Sequence, residues 1–141
     1  MIRLLHDLAL RRAEAMALDL ADLDLDGGTG AVIGKGRAEA GRLTRPDPAR
    51  RALAAWVAVR SSEPGPLFVR LDRAGTGHGR LTGRGVHKII GALGRRAGLA
   101  RPVRPHGLRH QGITRALEVS GGNVREVQKF SRYRKSALSK N

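Results

Sequence analysis

Capping residues divide the second half of the chain into three successive helices. Thr82 is suited to cap the first helix, and Gly98 to close it. A second helix begins at about His106 and ends at Gly121, and Asn123 is suited to cap the third. Apolar residues of the first helix recur at the spacing of one buried face, namely Val86, Ile89, Ile90 and Leu93. Because so much of its length is committed to helices, the chain is restricted to a mainly helical fold.

The first half of the chain combines helices with short extended segments. Residues 1–20 carry leucines at a rough helical period and predict one continuous helix, and residues 47–60 predict another, with Asp47 as its N-cap. Residues 67–69 are interpreted as a short buried strand or extended segment, and residues 71–79 as a glycine-rich loop. The predicted fold class is α+β, mainly α-helical with a small antiparallel β-hairpin or three-stranded sheet, in a single domain over residues 1–141.

A β-hairpin is predicted between residues 31–33 and 42–44, with Lys35 at its tip. Lys35 lies between Gly34 and Gly36, and glycines permit backbone angles that allow close approach to another molecule. The tip could therefore bring an ammonium group to a substrate. The motif is too short for a nucleotide-binding P-loop. Taken alone, Lys35 is better explained as a turn residue than as a catalyst.

The segment from Arg104 to His110 brings imidazole and guanidinium groups together in a basic stretch. Once the chain becomes helical after Pro105, His106 and Arg109 project from the same face. A guanidinium can bind two oxygens of a phosphate while an imidazole donates to a third. The alternative is a basic helix start that faces water.

Composition and charge narrow the possible functions. Without cysteine, the chain has no disulfides, thiolate metal sites or thiol nucleophiles. No apolar run approaches a membrane span and the start lacks the layout of a secretory signal, so we expect a cytoplasmic protein. The net charge of +15 points to a polyanionic partner, most simply nucleic acid. With one Trp, one Tyr and two Phe, stacking of single-stranded bases is not expected.

Taken together, these segments resemble the catalytic domain of the tyrosine recombinases, or phage integrases, in order along nearly the whole chain. Residues 9–14, Ala-Leu-Arg-Arg-Ala-Glu, are similar to the family's first arginine motif, with alanines in place of its glycine and its serine. Gly-Lys-Gly around Lys35 resembles the family's hairpin lysine motif. His106, Arg109 and the following His110 match its His-x-x-Arg box.

The resemblance implies DNA strand exchange without metal or cofactor. In the family a tyrosine oxygen attacks a backbone phosphate and forms a protein-DNA link that a partner strand later reverses. By carry-over, Arg11 and Arg109 would hold the non-bridging oxygens and His106 would support them by hydrogen bonding or proton transfer. Lys35 would protonate the leaving 5′ oxygen. The expected partner is double-stranded DNA, with a homo-oligomer, a tetramer in the family, assembled on it and a phage or mobile element as the setting.

Two departures from the family pattern bear on catalysis. Tyr133 stands where the family has a second histidine or a tryptophan, and a phenol can still donate a hydrogen bond to phosphate. The family's nucleophilic tyrosine follows that position by about nine residues, which falls just beyond Asn141. The family's N-terminal core-binding domain is likewise expected to fall outside the chain. Additional DNA contacts are expected from basic side chains: Arg37, Arg84, Lys88, His110, Arg132 and Arg134.

Three hypotheses follow. The first is a recombinase catalytic domain whose chemistry is incomplete in isolation. The second is a DNA-binding relic or regulator without catalysis. The third is an unrelated basic helical nucleic-acid-binding module whose motif matches are accidental.

Overall fold

The computed structural model describes residues 1–23, 31–32, 43–44, 47–74 and 77–131. Its helices are α1 (Ile2–Asp7), α2 (Arg12–Met16), α3 (Asp47–Arg60), α4 (Gly83–Arg96), α5 (Pro105–Val119) and α6 (Val124–Ser131). Its strands form two antiparallel pairs, β1 (Ala31–Val32) with β2 (Leu43–Thr44) and β3 (Val69–Leu71) with β4 (Gly77–Arg80). The predicted fold class, mainly α-helical with a small antiparallel β component, is confirmed. No helix in the described ranges is long and apolar enough to cross a membrane.

The core is built where α1 packs against α5, α3 and the strand region. Helices α1 and α5 approach so closely that a Cβ on Gly112 would overlap the carbonyl oxygen of His6, so only glycine fits there. Trp56 donates from Nε1 to the carbonyl oxygen of Leu67 at 2.8 Å and stacks on Phe68, so it packs α3 against the segment that leads into β3. The largest fully buried apolar side chains are Leu4, Leu5, Leu18, Leu53, Leu67, Val86 and Ile90.

The prediction of one continuous helix over residues 1–20 is wrong. The chain leaves α1 after Asp7 and begins α2 at Arg12, and between them Ala9 adopts a left-handed backbone conformation with φ 48°. Leu8, Ala9 and Leu10 are all buried, so the leucine spacing that suggests a helix here serves a tight corner instead. We call residues 8–11 the α1–α2 corner. It places Arg11 at the start of a helix and not in the middle of one.

The prediction of a loop over residues 71–79 is also wrong, because residues 77–80 form β4. Val69 pairs with Arg80 and Leu71 with Gly77. The Arg80 guanidinium extends from β4 to the carbonyl oxygens of Met16 and Leu18, at 2.8 and 3.0 Å. The pairing partner and this long-range anchor stabilise a strand that its glycine-rich sequence does not favour.

Helices α3 to α6 and the first hairpin are found close to their predicted bounds. The segment predicted at residues 67–69 is buried at Leu67 and Phe68, but the strand itself runs from Val69 to Leu71 and is largely exposed. The hairpin strands pair as Ala31 with Thr44 and Val32 with Leu43, while the hairpin tip lies outside the described residues. Thr82 caps α4 by accepting from the Gly85 N–H at 3.1 Å. The buried face of α4 is narrower than predicted: Val86 and Ile90 are buried, whereas Ile89 and Leu93 are about two-fifths exposed.

Candidate functional site

A basic cleft of about 370 Å³ lies where the α1–α2 corner meets α4 and the start of α5. Its lining is dominated by cationic and potentially cationic side chains: Arg11, Arg12, His87, Arg104, His106 and Arg109, with Pro105 beside them. Residues about one hundred positions apart in the chain thus contribute to one surface. We call this feature the arginine cleft.

Arg109 is the buried member of the arginine cleft, with 6% of its surface exposed. Its Nη1 donates to the carbonyl oxygen of Ala9, and its Nη2 donates to the carbonyl oxygen of Ser131 at 2.9 Å. Ala9, whose carbonyl oxygen accepts the first of these bonds, is also the residue of the α1–α2 corner that has the left-handed backbone conformation. Because a buried cation is costly without hydrogen-bond acceptors, these carbonyls make the position suitable for a guanidinium and fix its plane.

Arg11 is the N-cap residue of α2 and is held by Glu14 one turn later. The Arg11 N–H donates to Glu14 Oε2 at 2.7 Å, and Arg11 Nη1 donates to Glu14 Oε1 at 3.1 Å. The carboxylate therefore binds both the backbone and the guanidinium of the same residue. This arrangement limits the rotamers of Arg11 and keeps its head group at the arginine cleft.

Helix α5 supplies the histidine of the cleft. Pro105 is the first helical residue, as expected where an N–H has no helical partner, and Arg104 is the N-cap. His106 follows in the first turn and is exposed, whereas Arg109, three residues on, is buried. The two side chains predicted to share a face do line the same cleft, at different depths.

The arginine cleft is suited to bind an anion. Four guanidinium groups line it, and the carboxylate of Glu14 offsets one of their charges. Arginines remain charged at any physiological pH and present several N–H donors, so they suit phosphate oxygens. The imidazoles of His87 and His106 add neutral or charged donors. The arrangement can bind a phosphodiester and stabilise additional negative charge on it.

The structure brings together Arg11, His106 and Arg109, three of the five predicted catalytic residues. Of the predicted DNA contacts, Arg84, Lys88 and His110 are exposed on α4 and α5 outside the cleft lining. The remaining predicted residues lie outside the described residues: Lys35, Arg37, Arg132, Tyr133 and Arg134.

Sequence reasoning missed Arg12 and His87 as members of the cleft. Arg12 was missed because the corner at Ala9, which brings residue 12 to the cleft, interrupts a segment that was predicted to be one helix. His87 was missed because it lies on the exposed side of α4, where its sequence neighbours give it no distinguishing mark.

The sequence matches the Phage integrase family over residues 1–139, and the chain belongs to this family. A tyrosine recombinase of Synechocystis sp. is 36% identical over 134 residues, which are 94% of this chain and 42% of that protein. Tyrosine recombinase XerC of Actinobacillus pleuropneumoniae is 36% identical over 132 residues, 92% of this chain and 41% of that protein. The chain therefore spans about two-fifths of the length of these relatives. Family membership excludes the hypothesis of an unrelated module.

Solved structures agree with this placement. The XerA recombinase superimposes with a TM-score of 0.74 at 27% identity, over 93% of this chain and 46% of that chain. The fold is also similar to that of the XerH site-specific recombinase bound to its difH substrate, with a TM-score of 0.69 at 23% identity, over 94% of this chain and 38% of that chain.

Proposed function

We propose that this chain is the catalytic domain of a site-specific recombinase that cleaves and rejoins double-stranded DNA through a phosphotyrosine intermediate. The observation that carries the proposal is the arginine cleft. It gathers Arg11, His106 and Arg109 from both ends of the domain around a space that fits a phosphodiester. The family resemblance assigns to these residues the binding of the scissile phosphate.

In the proposed reaction the cleft serves the phosphate that is attacked. A tyrosine oxygen forms a bond to phosphorus while the bond to the 5′ oxygen breaks, and negative charge grows on the non-bridging oxygens. Arg11 and Arg109 stabilise that charge, and their fixed geometry means that little reorganisation is needed. His106 donates a hydrogen bond or transfers a proton, and Lys35 protonates the leaving 5′ oxygen.

Several parts of this proposal rest on the family resemblance. Lys35 as general acid and Tyr133 as the substitute for the second histidine are assigned from their sequence motifs. DNA contacts outside the cleft are assigned to the exposed Arg84, Lys88 and His110, and to Arg37, Arg132 and Arg134 from the sequence alone. We also propose action in the cytoplasm, on a phage or mobile element, by a homotetramer on paired sites. A structural relative that is a transposon integrase in complex with DNA supports the mobile-element setting.

DNA affinity tests the cleft directly. His106 is exposed, so His106→Ala should leave the fold intact. It should weaken binding to duplex DNA about tenfold, the effect of losing about 1.4 kcal/mol in one hydrogen bond to a charged group. Arg73→Ala is the matched control, because Arg73 is an exposed cation in the β3–β4 turn. Fluorescence anisotropy at fixed salt measures both variants. Equal losses would mean that diffuse charge, and not the cleft, binds the DNA.

Strand cleavage separates a recombinase domain from a protein that only binds DNA. Because Tyr133 matches the second-histidine position, residues 1–141 should form no covalent adduct with a nicked suicide duplex. An adduct that disappears in Tyr133→Phe would show that Tyr133 is the nucleophile and overturn that assignment. The genomic sequence beyond Asn141 should encode a tyrosine at once or within a few codons. If it does not, a DNA-binding protein without strand cleavage is favoured.

A further inference from the structure

Arg12 lines the arginine cleft from a position that the α4 backbone provides. The Cζ and Nε atoms of its guanidinium lie 3.2 Å from where a Cβ on Gly83 would stand. The head group of Arg12 thus lies against the α4 backbone at position 83, where the absence of a Cβ leaves room for it. It is held at the α4 wall of the cleft, although its own backbone belongs to α2.

His87 extends the same wall. It follows Gly83 by four residues on α4, and side chains at that separation are neighbours on one helical face, about 5 to 6 Å apart at Cβ. The Arg12 guanidinium lies beside position 83, which is about one helical turn before His87 on this face. Both side chains line the cleft, so one strong cation and one imidazole donor stand side by side there.

The charge of the cleft exceeds what one phosphate can neutralise. Four guanidinium groups and the Glu14 carboxylate leave three positive charges with both imidazoles neutral, whereas a single backbone phosphodiester carries one negative charge. Like charges held this close repel one another unless an anion separates them. A nucleic-acid strand that enters the cleft with two successive phosphates balances the charge better than one that presents a single phosphate.

We propose that Arg12 and His87 form a second phosphate subsite, which binds the backbone phosphate next to the one held by Arg11, His106 and Arg109. This inference rests on the proposed function, because it takes a DNA strand as the occupant of the cleft. Arg12 binds two oxygens of the second phosphate and His87 donates to one of them. Two adjacent phosphates held at two subsites fix the register of the strand, so that one defined linkage reaches the position for attack.

Short thymidine oligonucleotides test the subsite in the folded 141-residue chain. The probes are dTpT, with one phosphate, and dTpTpT, with two. A dTpTpT in which one phosphate is a neutral methylphosphonate serves as the length control. Ring signals of His87 and His106, assigned from the His87→Ala and His106→Ala variants, report binding in NMR titrations. Two subsites predict that dTpTpT binds about tenfold more tightly than dTpT, because of one additional charge-assisted contact, whereas a single subsite predicts only a statistical factor of about two.

The variants determine which side chains produce this gain. In Arg12→Ala and His87→Ala the preference for dTpTpT over dTpT should fall toward the statistical factor of about two, because the second phosphate of dTpTpT then has no subsite of its own. Arg96→Ala is the control and should keep the full preference. Arg96 is an exposed cation of α4 nine residues beyond His87, which at 3.6 residues per turn is the opposite side of the helix.

The results separate failure of this subsite from failure of the proposed function. A twofold preference in the unchanged protein, or an equal loss for both probes in Arg12→Ala, would overturn the second subsite. So would a full preference for the methylphosphonate probe, or a lost preference in Arg96→Ala. The proposed function itself is in question if His106→Ala leaves the affinity for dTpT unchanged. That result concerns the first phosphate and is independent of Arg12.

Discussion

Ala9 offers a direct test of the α1–α2 corner. Its backbone lies in the left-handed region, φ 48°, where a Cβ is strained and glycine is not. Its side chain is fully buried. We predict that Ala9→Gly leaves the stability of the protein nearly unchanged, in contrast to glycine at a comparable buried position. Ala15 is the matched control, because it is also fully buried but lies inside α2.

The expected change in the free energy of unfolding has two contributions that are common to both variants and one that only Ala9→Gly has. Each variant loses one buried methyl group, about 0.8 kcal/mol. In each variant the new glycine also gives the unfolded chain more conformational freedom, which lowers the stability by a further 0.5 to 1 kcal/mol or so. Only Ala9→Gly removes the left-handed strain, about 1 to 2 kcal/mol. Ala15→Gly should therefore lower the free energy of unfolding by about 1.5 kcal/mol, whereas the opposing terms in Ala9→Gly nearly cancel.

Urea unfolding followed by circular dichroism measures the difference. The two variants should share one m-value and differ in midpoint, in the order Ala15→Gly below Ala9→Gly. Ala9→Val provides the opposite perturbation, since a β-branched side chain tolerates the left-handed region least, and it should unfold at the lowest urea concentration of the three. Equal losses in Ala9→Gly and Ala15→Gly would show that Ala9 carries no strain and that the corner is held differently.

Three further outcomes are expected. Gly112→Ala, whose methyl would overlap the His6 carbonyl oxygen, should cost about 1 to 3 kcal/mol in thermal unfolding, and Gly107→Ala, with open space around its Cβ, should not destabilise the protein. Thr82→Ala should cost about 1 kcal/mol and raise amide exchange at the start of α4. Burial lowers the pKa of the Met1 amino group from 8.0 to about 6. The unfolded chain then binds the extra proton, so stability should rise between pH 6 and pH 8 by about 2 to 3 kcal/mol, and Nα-acetylation should remove the rise.

Local signals predicted the elements whose determinants are local. The caps at Thr82 and Asn123 depend on hydrogen bonds within three residues, to the N–H groups of Gly85 and Glu126. Such bonds are encoded in a short stretch of sequence, and both helix starts were predicted correctly. The same holds for Pro105 at the start of α5.

Distant contacts explain what was missed. The break at Ala9 has no local marker, since leucines continue on both sides, and its carbonyl is used by a side chain one hundred residues away. Strand β4 likewise depends on its pairing partner and on Arg80 reaching α2. Because the corner at Ala9 was missed, the position of Arg12 in the cleft was missed as well. The predicted cleft residues Arg11, His106 and Arg109 were found through their resemblance to family motifs. Such motifs reflect where residues lie in the folded domain, whereas hydrophobic periodicity indicates only local secondary structure.

The two carbonyl contacts of Arg109 also have a consequence for how the domain reaches its folded state. They join Ala9, Arg109 and Ser131, and the contact with Ala9 closes a loop of one hundred residues. Contacts between residues so far apart in sequence form late, because the entropy of closing the loop must be overcome first. A partly folded or nascent chain therefore carries the positive charge of this protein but no assembled cleft. Its charge can still attract polyanions, but it has no assembled site that holds an anion in one position.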